Sequence, residues 1–266
     1  MLQKLRLLIL PILVLSWREL VRFSRQKSRW LSALGQGAAF WILMGAGLKG
    51  SFHFPGMTEL TSMQYFFPGT LLLVILFSSL FSTFSVIDDR NEGFLQSVLV
   101  SPTPTTSIVL GKVLGGALLA LLQAAFLLSA APLAGYAFQF STFFHLLFLL
   151  FIISCGMTSL GFAIAWRVES TQGFHAIMTL FFFPLWILSG ALFPLAGAST
   201  WLRRIMEWNP MSYQLSAIQT ALSAPISSNA SSFSSHDTSG LALGVTLLFT
   251  GCAIGAAILW TRRSLQ

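Results

Sequence analysis

Residues 65–112 read YFFPGTLLLVILFSSLFSTFSVIDDRNEGFLQSVLVSPTPTTSIVLGK, and the two halves of this stretch decide the fold. No acidic or basic residue interrupts 65–87, an apolar run long enough to cross a hydrocarbon core of about 30 Å as helix. A charged connection begins at Asp88. The apolar pattern recurs at 31–48, 113–133, 142–166, 174–193 and 241–260, which predicts an all-α integral membrane protein with six transmembrane helices. The chain divides into an amphipathic segment at 1–30 and a six-span domain at 31–266.

Composition agrees with that class. Hydrophobic residues make up 55% of the 266 and charged residues only 9%, with 25 Phe, so polar groups could not cover such a surface in water. Cys155 and Cys252 fall inside spans, where cysteine behaves as a small hydrophobe. The net charge of +7 reads as topology rather than as a nucleic-acid surface. With the N-terminus inside, Lys4, Arg6, Arg18, Arg22, Arg25, Lys27, Arg29, Arg90, Lys112, Arg167, Arg262 and Arg263 are cytoplasmic. Only Lys49, Arg203 and Arg204 lie outside. Positive charge concentrated on one side predicts a multi-pass protein of the plasma membrane, the inner membrane in bacteria, with both termini cytoplasmic.

The first thirty residues are not expected to form a signal peptide. No small-residue cleavage site follows the apolar core, and Arg6 to Arg18 gives about 17 Å of helix, half a bilayer core. An interfacial helix is expected, with Trp17, Leu20, Val21 and Phe23 at the headgroup boundary and basic side chains toward anionic lipid. A plain topogenic charge cluster fits the same residues.

The inner connection at 88–112 is acidic on the side where topology favours bases, so something else selects it. Phe94, Leu95, Val98 and Leu99 fall on one face of a helix that Pro102 and Pro104 would end. Too short to span, it would lie across the membrane face as a handle for a cytoplasmic partner; a surface loop resting on lipid is the alternative. The outer connection is longer. Residues 199–222 carry Trp201, Leu202, Ile205, Met206 and Trp208 before Pro210, then Tyr213, Leu215, Ile218 and Leu222, as two short amphipathic helices at the outer surface. A Ser-rich linker at 223–240 leads to the last span, with a glycosylation sequon at Asn229.

In order and spacing, these features resemble the type-2 transmembrane permease subunits of ATP-binding-cassette (ABC) exporters, over nearly the whole chain. The resemblance rests on Asp89, Arg90, Gly93, Leu99 and Pro102 in the inner loop, on Gly111-Lys112 opening the third span, and on Pro210, Met211, Tyr213 and Gln219 before the last. It implies export powered by a cytoplasmic ABC ATPase on a separate chain, with a second permease copy, a homodimer, completing the path. The inner helix would then be the coupling helix: Glu92, Gly93, Phe94, Leu95 and Leu99 inserted into the ATPase, with Asp88, Asp89 and Arg90 placing it. The double dip before the last span implies short outer re-entrant helices, with Trp201, Pro210, Met211, Tyr213 and Gln219 forming an outer gate.

No GxxxxGK[ST] phosphate loop occurs, so the chain is expected to bind no cofactor itself and to act as a transport subunit rather than an enzyme, with ATP and Mg on the partner. A secondary transporter would hold ionisable groups at membrane depth, and these span boundaries leave none there. An intramembrane metalloenzyme would need a motif such as HExxH, which is absent; no metal site is expected, and His145 and His175 fall at opposite faces. Ser78, Ser79, Ser82, Gln123 and Thr158 suit hydrogen bonding between helices, and GxxxG at Gly111, Gly240 and Gly251 suits close helix contacts. In the fifth span Phe182, Phe183, Pro184 and Trp186 combine an aromatic surface with a proline kink, which suits the wall of a path for an amphiphilic cargo. Lipid-facing phenylalanine explains the same composition. Drugs, lipids and glycan-linked lipids all fit as cargo.

Overall fold

Proline, glycine and apolar run length punctuate the chain into helices. The computed structural model describes residues 2–25, 27–48, 61–101, 103–136, 140–195, 198–223 and 239–263, and among them there is no strand. Pro102, the Asn229 sequon, His53 and His236 lie outside the described residues. The helices are α1 (Leu2–Ser24), α2 (Lys27–Gly47), α3 (Ser62–Ser82), α4 (Phe84–Asn91), α5 (Phe94–Val100), α6 (Thr105–Leu128), α7 (Phe140–Ala165), α8 (Thr171–Ile177), α9 (Phe183–Trp186), α10 (Thr200–Trp208), α11 (Pro210–Ser223) and α12 (Ser239–Arg263).

Five stretches are long and apolar enough to cross a membrane: Ser62–Asn91, Thr105–Leu128, Thr142–Ala165, Thr171–Ala191 and Gly240–Arg263. Helix α2 has 21 residues, but Gln36 and its glycines dilute its apolarity. It packs along α3: Ser62 Oγ donates to Gly45 O at 2.6 Å, Trp41 Nε1 donates to Met63 O at 3.0 Å, and Gly37 sits against Val74. The core is the middle of α3, where every residue from Tyr65 to Leu80 is buried among α2, α6, α7 and α11.

The expected boundaries shift in two places. The second span runs on as helix to Asn91, carrying Asp88 and Asp89 with it. The third begins at Thr105, with Pro104 as its N-cap, and ends at Leu128, where a 3₁₀ turn containing Pro132 takes over from the expected end at residue 133. Lys112 is therefore inside a spanning helix, as Asp89 is, which corrects the expectation that no span contains an ionisable group.

Glycine spacing places α1. A Cβ at Gly111 would lie 2.8 Å from Leu15 Cβ and 3.2 Å from Ile12 O, and one at Gly115 would lie 2.8 Å from Glu19 Cβ, so α1 rests directly on the backbone of α6. The partner of this GxxxG is the N-terminal helix rather than another span. Gly240, Gly244, Gly251 and Gly255 meet nothing within 4 Å, so in this chain they mark no helix contact. On α1, Leu8, Ile9, Leu13, Val14 and Trp17 are exposed, as an interfacial helix requires, whereas Phe23, expected at the headgroups, is buried.

Candidate functional site

Two polar constructions stand at opposite ends of the bundle. At the end carrying α5, a buried carboxylate gathers three cations. Asp89, 0% exposed, accepts from Arg18 Nη1 and Nη2 at 2.8 Å each, from Arg22 Nη1 at 2.6 Å, and from Lys112 Nζ. Lys112 also donates to Glu19 at 2.6 Å and to Ser85 Oγ at 3.3 Å, and Arg22 reaches Asp88 at 3.2 Å. A charge removed from water is tolerable only when it is paired and hydrogen-bonded, and this cluster meets that condition on α1, α4 and α6 at once. The Asp89 hydrogen bond raises the Arg18 guanidinium above its ordinary value, against the opposing effect of burial. Arg18 and Arg22 thus turn to the acids of α4 rather than to lipid.

The same cluster positions α5. Gly93, at φ 77°, makes the left-handed corner between α4 and α5, a conformation that favours glycine. Arg90 donates to Trp166 O at 2.8 Å and to Val168 O, closing the carbonyl end of α7. The Arg18 guanidinium lies 3.8 Å from the Phe94 ring centroid, a cation–π contact. Leu95 is buried against Leu15 and Ile108, with Phe94, Val98 and Leu99 partly buried beside it. Leu95, expected to insert into the ATPase, is therefore taken up by the bundle, while Phe94 and Leu99 remain partly exposed. The outward face is Glu92, Gln96 and Val100, the last 89% exposed.

At the other end, the fifth span departs from α-helix twice, with π-wound stretches at Met178–Phe182 and Ile187–Ala191 on either side of α9. Pro184 lacks an N–H, and Gly190 takes φ 95°. Backbone groups loosened in this way must find partners, and side chains supply them. Asn209 Nδ2 donates to Leu185 O at 2.6 Å, Ser212 Oγ to Leu188 O at 3.3 Å, Tyr65 OH to Gly190 O at 3.1 Å; Trp186 Nε1 donates to Gly69 O at 2.9 Å. These bonds fix the course of the outer pair. Met206 and Leu215 both lie near Gly190, while Asn209 between them reaches Leu185, so α10 descends beside the fifth span and α11 climbs back.

Of the expected gate residues, Pro210, Met211 and Tyr213 lie at that turn, whereas Trp201 is at the start of α10 and Gln219 near the end of α11. Pro210 opens α11, where a missing N–H costs nothing, and Tyr213 OH closes the corner by donating to Glu207 O at 2.9 Å. Met211 and Gln219 are buried and Trp201 is exposed. Helix α11 is not a surface helix as expected: it packs among α3, α7 and α12, with Ser212, Gln214 and Ser216 fully buried. Among the path candidates, Phe182 and Trp186 are buried inside the chain, Phe183 is half-buried and Pro184 exposed; Leu180 and Phe181 face outward beside it. Asn209, Ser212 and Tyr65 had no sequence signal beyond Asn209 preceding a proline. Replacing Asn209 by Leu is expected to lower the thermal midpoint, because each unpaired buried group costs about 1–3 kcal/mol. Amide exchange of residues 185–190 should rise in that variant, and unchanged exchange would show that the bonds do not hold the segment.

No group of three His, Cys, Asp or Glu residues able to hold a metal occurs among the described residues. The fold and these two polar ends define a helical membrane protein, with the short helix α5 docked at one end and a broken span at the other. The profile of the ABC-2 type transporter family matches residues 11–222, and the chain belongs to that family. It is 28% identical over 214 residues to the ycf38 transport permease of Cyanophora paradoxa, covering 79% of this chain and 73% of that one. It is also 28% identical over 132 residues to the YbhR multidrug ABC transporter permease of Escherichia coli (strain K12), covering 49% of this chain and 35% of that one. The protein is accordingly a membrane permease of an ABC transporter, and the family implies an ATPase partner.

Proposed function

We propose that the chain is the permease half of an exporter: two copies, with α2 as the sixth span of each, enclose a path that a cytoplasmic ABC ATPase opens through α5. Both termini and α5 lie on the cytoplasmic side, in keeping with the charge distribution. The observation that carries this reading is the mounting of α5, a short rod held over the bundle by a buried ion cluster, with Glu92, Gln96 and Val100 turned outward. Such a rod transmits a push to α1, α4 and α6 together.

The path runs between copies, along the exposed side of the fifth span at Leu180, Phe181 and Pro184, and the outer turn at Pro210, Met211 and Tyr213 gates it, with Gln219 further along α11. An apolar, aromatic wall suits an amphiphilic cargo, drug-like, lipid or glycan-linked, and the name of the Escherichia coli relative favours the first. ATP and Mg bind the partner.

The test is Gln96→Arg with Val100→Asp, both exposed and clear of the ion cluster, so that the bundle keeps its own packing. In vesicles holding the permease and its ATPase, the double variant should insert normally but lose export by about tenfold or more, since two disrupted interface contacts together exceed about 1.4 kcal/mol. Undiminished export would remove α5 from the mechanism.

A further inference from the structure

Helix α10 has three distinct faces. Met206 is buried at Gly190 and Asn209, just past the helix, bonds to Leu185, so one face belongs to the fifth span. Arg203 and Glu207 pair at 2.9 Å on a second. On the third, Trp201, Ile205 and Trp208 recur one helical turn apart and are exposed, Trp208 at 89%. Arg204 flanks that stripe and forms no ion pair among the described residues.

Depth bears on what covers the stripe. Leu185 lies six residues, more than one helical turn, before Ala191, the end of a helix able to cross a membrane. Trp208 adjoins Asn209 and so lies at that depth, while Trp201 lies near the surface. A stripe grading from the headgroup level into the acyl region, with tryptophan at both ends and a guanidinium beside it, has the chemistry of a lipid-facing surface. A two-fold contact between copies would instead bring the two Arg204 groups to one seam with no free carboxylate, because Glu207 is taken.

We propose that α10 is a lipid-engaging wedge: Trp201, Ile205 and Trp208 insert into the phospholipid leaflet at the Ala191 end, with Arg204 against a lipid phosphate. Because the opposite face of the same helix holds the π-wound end of the fifth span, lipid packing braces the gate. The assignment to the outer leaflet rests on the proposed topology; the occupant does not.

Nitroxide labels at Trp201→Cys, Ile205→Cys and Trp208→Cys, with Arg203→Cys as the polar-face reference, test this in the full chain lacking Cys155 and Cys252, reconstituted in phosphatidylcholine and phosphatidylglycerol vesicles. Collision with oxygen relative to nickel-EDDA should be several-fold higher at 205 and 208 than at 203, with 201 intermediate. Low collision with both reagents along the stripe would mean a protein surface, such as a second copy, and would overturn the proposal. High nickel-EDDA collision would mean water and would do the same. Reduction of the label at 203 by externally added ascorbate reports sidedness separately, so a failed topology and a failed lipid contact give different results.

Discussion

Asp89→Asn is expected to be the most damaging single substitution in the protein. The change keeps the size of the side chain but removes the negative charge that Arg18, Arg22 and Lys112 share. Lys112 is then left buried with Glu19 as its remaining carboxylate. Breaking a buried ion cluster on one side costs about 3–5 kcal/mol, because the stranded charges stay desolvated. Lys112→Met should be milder, since Asp89 would keep both arginines, and the double variant should be less damaging than the sum of the two singles. Thermal midpoints in detergent for the parent and the three variants give this order directly. A midpoint for Asp89→Asn equal to the parent's would show that the cluster contributes nothing to stability.

Gly69→Val should disable the opposite end. A Cβ at position 69 would lie 2.8 Å from Ala191 Cβ, 3.2 Å from Ala191 Cα and 3.3 Å from Ala191 O, so part of the obstruction is backbone and cannot swing aside. Forcing extra carbons into such a contact costs about 1–3 kcal/mol. The strain would pry the π-wound segment from α3, stretching the bonds from Trp186 to Gly69 and from Tyr65 to Gly190. The expected result is loss of export with the ATPase still bound, because α5 sits at the other end of the bundle. Gly116→Ala makes a useful comparison: its nearest neighbours are the side chains of Ser82 and Thr158, so Ser82→Gly together with Thr158→Ser should relieve it, whereas no neighbouring side-chain change should fully relieve Gly69→Val. Normal export by Gly69→Val would show that the contact with Ala191 is not needed.

Run length and apolarity carried most of the fold. Five stretches were legible because an apolar run near twenty residues has few other solutions, and the break at α5 was legible because prolines follow it. What escaped was pairing. Windows cut at charged residues exclude Lys112 and Asp89, although each belongs to a continuous helix once its partner is in place. The apolar face of α5 was visible, but its direction was not: periodicity shows that a face exists without saying which neighbour takes it. Helix α11 looked like a surface helix because it is short and its apolar residues suggested an amphipathic face, yet its Ser212, Gln214 and Ser216 are buried between other helices. Its neighbour Asn209 carried no signal beyond preceding a proline, and only the loosened carbonyl of Leu185 explains its position.

The ion cluster also sets an order of events during synthesis. Glu19 and Lys112 are 93 residues apart, and Arg18 and Asp89 are 71 apart. Helix α1 therefore leaves the ribosome with no partner for its buried face until α6 arrives, and it must wait at the membrane surface with Glu19 still hydrated. Its exposed apolar side suits that wait. Placement of α1 then completes the end of the bundle that carries α5, so a chain truncated before Lys112 is expected to insert its earlier spans yet leave α1 open to proteolysis.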